Sequence, residues 1–183
     1  MNIVEKIRYK IGYNILVNKI KNLNRSKTFN NFDTAKSVGV IFDASRQESY
    51  LTVKDFIFSL RKKNIDVNGL GYVKNLQAVE YFPYHEGITF FSILHNNSWY
   101  LKSKNPKIDD FANKKYDILI DLTTEEFLPL KFVVGLNPAN LKIGRGKPTD
   151  TIFYDFVLDI NEGKNINYFV DQLNYYMAVL KKA

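Results

Sequence analysis

Polar side chains gather where an α/β protein would do its chemistry. Asp43, Ser45 and Arg46 follow the apolar run 38–42 (VGVIF). Asp121, Thr123 and Thr124 close the run that begins at Asp117, and Arg145 and Lys147 follow 141–144 (LKIG). In an open parallel sheet, ligands sit beyond the carboxyl ends of the strands. Carboxylates, hydroxyls and cations placed there suit a polar ligand of the nucleotide or sugar-phosphate class. The same residues also suit simpler work. Ser45 or Thr124 would cap a helix, and Asp121 would accept hydrogen bonds from loop amides. The sequence leaves both readings open.

Other chemistry is excluded more firmly. The chain has no cysteine, so it has neither a disulfide framework nor a thiol nucleophile. Its two histidines, His85 and His95, are ten residues apart with no cluster of ligating neighbours, and no metal site or cofactor is expected. There is no G-x-S-x-G elbow. The stretch Gly144-Arg145-Gly146-Lys147-Pro148-Thr149 approaches a phosphate loop, but Leu141 replaces its first glycine and Pro148 stands where Ser or Thr is required. Gly69 and Gly71 lie inside a strand pattern, where they predict a bend or a close backbone approach rather than a dinucleotide fingerprint.

The elements that must position these residues follow from hydrophobic period. Runs 38–42, 65–73, 88–94, 117–122, 141–144 and 154–160 read as strands, and 99–101 as a short return strand after the Asn96-Asn97 turn. Helical patterns cover 3–23, 50–63, 106–115, about 125–136 and 165–182. Leu51, Val53, Phe56, Ile57 and Leu60 form the inward side of the second helix. Phe169, Leu173, Tyr176, Met177 and Leu180 form that of the last. The polar segment 24–36 reads as a linker. Strands alternating with helices predict a mostly parallel sheet of about five or six strands between two helical layers, a Rossmann-like three-layer α/β fold. At 183 residues, one such domain is expected, here 28–183, preceded by a basic amphipathic helix at 1–27.

That helix carries most of the charge. Residues 1–27 hold seven of the 26 Lys/Arg and one of the 19 Asp/Glu, a net of +6 out of +7, so the body is close to neutral. Val4, Ile7, Ile11 and Ile15 recur at helical spacing, with Leu16, Ile20 and Leu23 widening the apolar surface. The helix has three readings. It docks as core, it contacts a protein or RNA partner through Lys6, Arg8, Lys10, Lys19 and Lys21, or it lies on a membrane surface, a partner ranked below the others. No apolar run reaches the roughly 18 residues needed to span a bilayer. The first residues show no signal-peptide pattern, and a cytoplasmic protein is the expectation.

The block Tyr116-Asp117-Ile118-Leu119-Ile120, then Glu125, Leu128-Pro129-Leu130-Lys131 and Ala139-Asn140-Leu141-Lys142-Ile143-Gly144, has a family character. Together with the ending YYMAVLKKA and the Lys/Asn-rich start, it resembles a family of small uncharacterised proteins from Bacteroidota, a domain of unknown function. The likeness runs over nearly the whole length and is strongest across 116–183. It implies a bacterial cytoplasmic protein and carries no activity or catalytic residues. The strand ending Asp121-Leu122, its helix and the strand closing at Gly144 also resemble the N-terminal half of heptosyltransferase-like glycosyltransferases. These readings lead to a non-enzymatic binding module, with a small-molecule site at the strand ends, an orphan glycosyltransferase-like enzyme and RNA or ribosome association as alternatives.

Overall fold

Strands without polar alternation must be covered on both faces, and that condition organises the molecule. The computed structural model describes residues 3–74, 86–92, 105–123, 126–147, 150–160 and 165–180. Along the chain run α1 (Ile3–Lys21), β1 (Ser37–Asp43), α2 (Gln47–Arg61), β2 (Asp66–Tyr72), β3 (Ile88–Phe91), α3 (Pro106–Asn113), β4 (Ile118–Asp121), α4 (Leu128–Leu136), β5 (Leu141–Arg145), β6 (Phe156–Leu158) and α5 (Ile166–Val179). A 3-10 turn at Asp150–Ile152 precedes β6. The strands form one sheet in the order β3-β2-β1-β4-β5-β6, with every pairing parallel. This is the Rossmann order, with its switch point between β1 and β4.

The pleat sends successive side chains to opposite layers. Val38, Val40, Phe42, Ile118, Ile120 and Ile143 pack with Tyr50, Val53, Phe56 and Ile57 of α2 and Phe169, Leu173 and Met177 of α5. Ile41, Leu70 and Leu119 pack on the other side with Leu16 of α1, Ile108 and Phe111 of α3, and Leu130, Val133 and Val134 of α4. The close approach expected at β2 is present. A Cβ at Gly69 would meet the Ile88 side chain at 3.0 Å, and one at Gly71 would meet the Phe90 ring at 2.9 Å.

Several local expectations change. Helix α2 begins at Gln47, and Leu51 lies on its solvent side. Helix α4 begins at Leu128, where Pro129 occupies the first turn and needs no amide partner. Tyr176 of α5 is exposed and rests edge-on against Phe156. The segment 24–36 is pinned rather than loose: Arg25 donates to the carbonyl of Ala139 (2.9 Å), Thr28 N–H donates to Asn140, and Asn31 and Phe32 are buried. The return strand at 99–101, its Asn96-Asn97 turn, His85 and His95 lie outside the described residues.

The largest change concerns α1. Of the expected apolar surface, Ile15, Leu16 and Ile20 pack against the body, whereas Val4, Ile7 and Ile11 do not. Leu16 and Gly12 are buried, with Tyr9, Tyr13, Ile15 and Ile20 partly so, and they meet α4. The physical reason is Gly135. The missing side chain there leaves a hollow on α4 that the Ile20 and Leu16 side chains enter, within 2.6 and 3.1 Å of where a Cβ would stand. Ile3, Val4, Ile7 and Ile11 are left facing outward.

Because Leu16 is completely buried between α1 and α4, Leu16→Ala should lower unfolding stability by about 2–5 kcal/mol in urea titrations. An unchanged midpoint would mean that α1 contributes nothing to the folded core.

Candidate functional site

The switch point brings two strand ends side by side. Ile41 of β1 is in register with Asp121 of β4, and Leu122 N–H donates to the Ile41 carbonyl at 2.8 Å. Beyond β1, Asp43 is half-buried and its Oδ1 accepts from Ser45 N–H at 2.8 Å, which shapes the turn. Ser45 does not cap α2. Arg46 is the exposed N-cap residue, and its side chain makes no capping hydrogen bond. The Ser45 Oγ is enclosed by protein and has no hydrogen-bond partner, an unusual condition for a hydroxyl.

Asp121 is only 1 % exposed, and both its oxygens are occupied. Oδ1 accepts from the Thr123 amide (3.0 Å) and hydroxyl (2.6 Å), while Oδ2 accepts from the Tyr154 hydroxyl (2.6 Å). Lys131 of α4 in turn donates to the Tyr154 oxygen, and its ammonium stands 3.9 Å from Asp121 Oδ2. The chain of donors therefore runs from ammonium to phenol to carboxylate. Each charge has an opposite partner, as burial demands.

Geometry explains how Tyr154 gets there. Asp121 is in register with Gly144 on β5, so both face the α4 layer. The Tyr154 ring lies directly over Gly144, in the space a Cβ would fill, and its hydroxyl reaches the neighbouring strand. Burial first, and then the Asp121 charge, push the Tyr154 phenol far above its ordinary pKa. It remains a neutral donor at physiological pH and is unsuited to act as a general base. The arrangement is a charge-balanced pin between α4, β4 and the segment before β6.

The remaining candidates disperse. The pleat aims Arg145 to the face opposite Asp121, and Arg145 is itself engaged within the protein. Lys147 is exposed, and its amide donates to Asp150 Oδ2 at 2.8 Å. An aspartate thus sits where a phosphate loop would present a free amide. Thr124, Pro148 and Thr149 lie outside the described residues. Asp43 and Ser45 therefore share the turn after β1, Thr123 is bonded to the buried Asp121 after β4, and Arg145 is turned away.

Further buried charge lies deeper in the α4 layer. Lys142 of β5 donates to the Gly135 carbonyl at 2.8 Å, satisfying the last turn of α4. Burial, and after it the nearby Arg25 cation, lower the Lys142 pKa to about 7. Arg25 and Lys27 pair with Asp155 at 2.5 and 3.0 Å. Burial of Asp155 pushes its carboxyl upward, but hydrogen bonds from Arg25, the Lys142 amide and Lys27 prevail and hold it below the usual range. Two of the N-terminal cations thus serve the fold. Lys6, Lys10, Lys19 and Lys21 of α1 are exposed, and Arg8 is half-buried and engaged within the protein.

Sequence reading missed the roles of Lys131, Lys142 and Tyr154. A signal existed: Lys131 is the lone charge in LPLKFVVGL, an otherwise apolar helix that must bury it with a partner.

The sheet order, the switch-point turns and the docked N-terminal helix define a Rossmann-like α/β domain. The chain belongs to a family of unknown function, DUF6913, whose model matches residues 8–180. No curated protein matches it significantly. Among the described residues, no helix is long and apolar enough to cross a membrane.

Tyr154→Phe removes a donor from the buried Asp121 carboxylate and should destabilise by about 1–3 kcal/mol in urea unfolding; a neutral result would show that the pin carries no stability. Lys142 gives a pH signature. Its folded pKa lies below its unfolded value of 10.5, so between about pH 7 and 10.5 the unfolded chain binds the extra proton and stability rises with pH. Lys142→Met should flatten the unfolding free energy between pH 7 and 9.5, removing a slope that approaches about 1.4 kcal/mol per pH unit. An identical profile in both proteins would refute the assignment.

Proposed function

We propose that the protein is a non-enzymatic interaction module in which the body at 28–183 holds the helix at 1–27 as a recognition element. The observation that carries this reading is the outward face of α1. Ile3, Val4, Ile7 and Ile11 are 77, 60, 48 and 38 % exposed, although the same helix is already anchored through its other side. Docking explains Leu16, Tyr13 and Ile20 but gives the outward aliphatics no work to do. A helix face that is rich in branched side chains and bordered by lysines fits a partner that covers it. The lack of cysteine is compatible with the cytoplasm, which we propose as the compartment.

The enclosed, unpartnered Ser45 hydroxyl favours a second reading: a small polar ligand at the switch point, where Asp43 shapes the same turn. The glycosyltransferase-like strand-helix-strand block makes sugar nucleotides the first class to try.

Ile7→Ser/Ile11→Ser tests the leading reading. Both positions face solvent, so the change in stability should stay within about 0.5 kcal/mol. In fractionated extract, the wild-type chain should co-sediment with a particulate fraction that the serine variant leaves. Matching distributions, or a variant that unfolds, would overturn the assignment of this face to recognition. For the second reading, a thermal-shift series with nucleotides and sugar nucleotides should raise the melting temperature with at least one member, and Ser45→Ala should change that shift. A flat response to all of them counts against a strand-end site.

A further inference from the structure

We infer that the outward face of α1 docks on an anionic lipid surface, an inference that rests on reading this face as a recognition element. At about 100° per residue, Ile3, Ile7, Ile11 and Val4 fall within an arc of about 100°. The buried Gly12 lies in the opposite arc with Leu16, Tyr9, Ile20 and Tyr13, which pack in the α4-side core. Lys6 and Lys10 border the outward arc on one side, Lys19 borders it on the other, and Lys21 lies along it nearer the helix end. All four are exposed. The acid of the first turn, Glu5, projects on the docked side of the helix. Farther along the same outward line stand Asn14 and Asn18, so the aliphatic patch belongs to the N-terminal half, and that end would enter the surface first.

Charge complementarity selects the occupant. An anionic bilayer offers hydrocarbon beneath a layer of negative charge, which matches an aliphatic stripe between lysines whose stems lie along the interface while their ammonium groups reach the headgroups. RNA fits less well. Its phosphates would pair the lysines but leave the Ile and Val side chains in water. The aromatics suited to base stacking, Tyr9 and Tyr13, are turned inward, where Tyr13 meets Phe153 edge-on. A second copy laid face to face would set lysine against lysine. The helix is too polar to cross a membrane, so the contact would be peripheral and reversible.

Vesicle flotation at about 0.05 M salt tests the inference, using phosphatidylcholine alone and phosphatidylcholine with about one third phosphatidylglycerol. The full chain should float with the anionic vesicles only. Lys6→Gln/Lys10→Gln should lower the partition coefficient about 25-fold, at about fivefold per lysine. Ile7→Ser/Ile11→Ser should lower it at least about tenfold while keeping the wild-type thermal melt. Because the chain has no cysteine, Ile7→Cys can carry a single environment-sensitive fluorophore. Its emission should shift to the blue on anionic vesicles and not on neutral ones.

Failure to float, equal binding to both vesicle types, or a serine variant that binds like wild type would overturn the lipid assignment. Homopolymer RNA binding and sedimentation velocity on the same pair of proteins separate the two levels. If the serine substitutions alter either one while vesicles are ignored, the face recognises another partner. If they alter neither, the recognition reading of α1 fails with the lipid assignment.

Discussion

The α4 side of the sheet depends on one phenol reaching one carboxylate. Tyr154 lies over Gly144 because that position has no side chain, and its hydroxyl then meets Asp121 on the adjoining strand. Lys131 closes the arrangement from α4. The three side chains make each other tolerable. The ammonium and the carboxylate would each be strongly unfavourable in this interior alone, and the phenol bridges them with both its donor and its acceptor capacity in use. Such a cluster demands a single packing of α4 against β4 and β5, because any slip leaves a buried charge unpaired.

That placement has consequences further out. With α4 held, Gly135 presents a hollow to α1, and Lys142 reaches the Gly135 carbonyl from below. The hollow selects which side of α1 turns inward. Aliphatic residues lie on more than one side of this helix, and only one side can use the hollow. The other is left as a surface, with lysines at its borders. The outward stripe is the side that this seating leaves uncovered.

The strand ends are quieter than their composition suggests. Asp121 is consumed by the pin, Arg145 points to the other layer, and Asp150 closes the turn after β5. The turn after β1 holds a serine hydroxyl that is enclosed without a partner, beside a half-buried aspartate.

Much of the fold was legible from periodicity. Apolar runs such as VGVIF and DILIDL specify strands covered on both faces, because no alternation is left to place in water, and their spacing by helices leaves a parallel sheet as the natural solution. The absence of thiol chemistry and the concentration of positive charge in the first residues are likewise properties of the chain alone. The role of Asp121 was not legible, because Tyr154 lies 33 residues farther along the chain and only the register of β4 with β5 brings the two together. Nor was the orientation of α1. Its own sequence offers two apolar sides, and the choice between them was made by a glycine on another helix, whose missing side chain is where Leu16 and Ile20 fit.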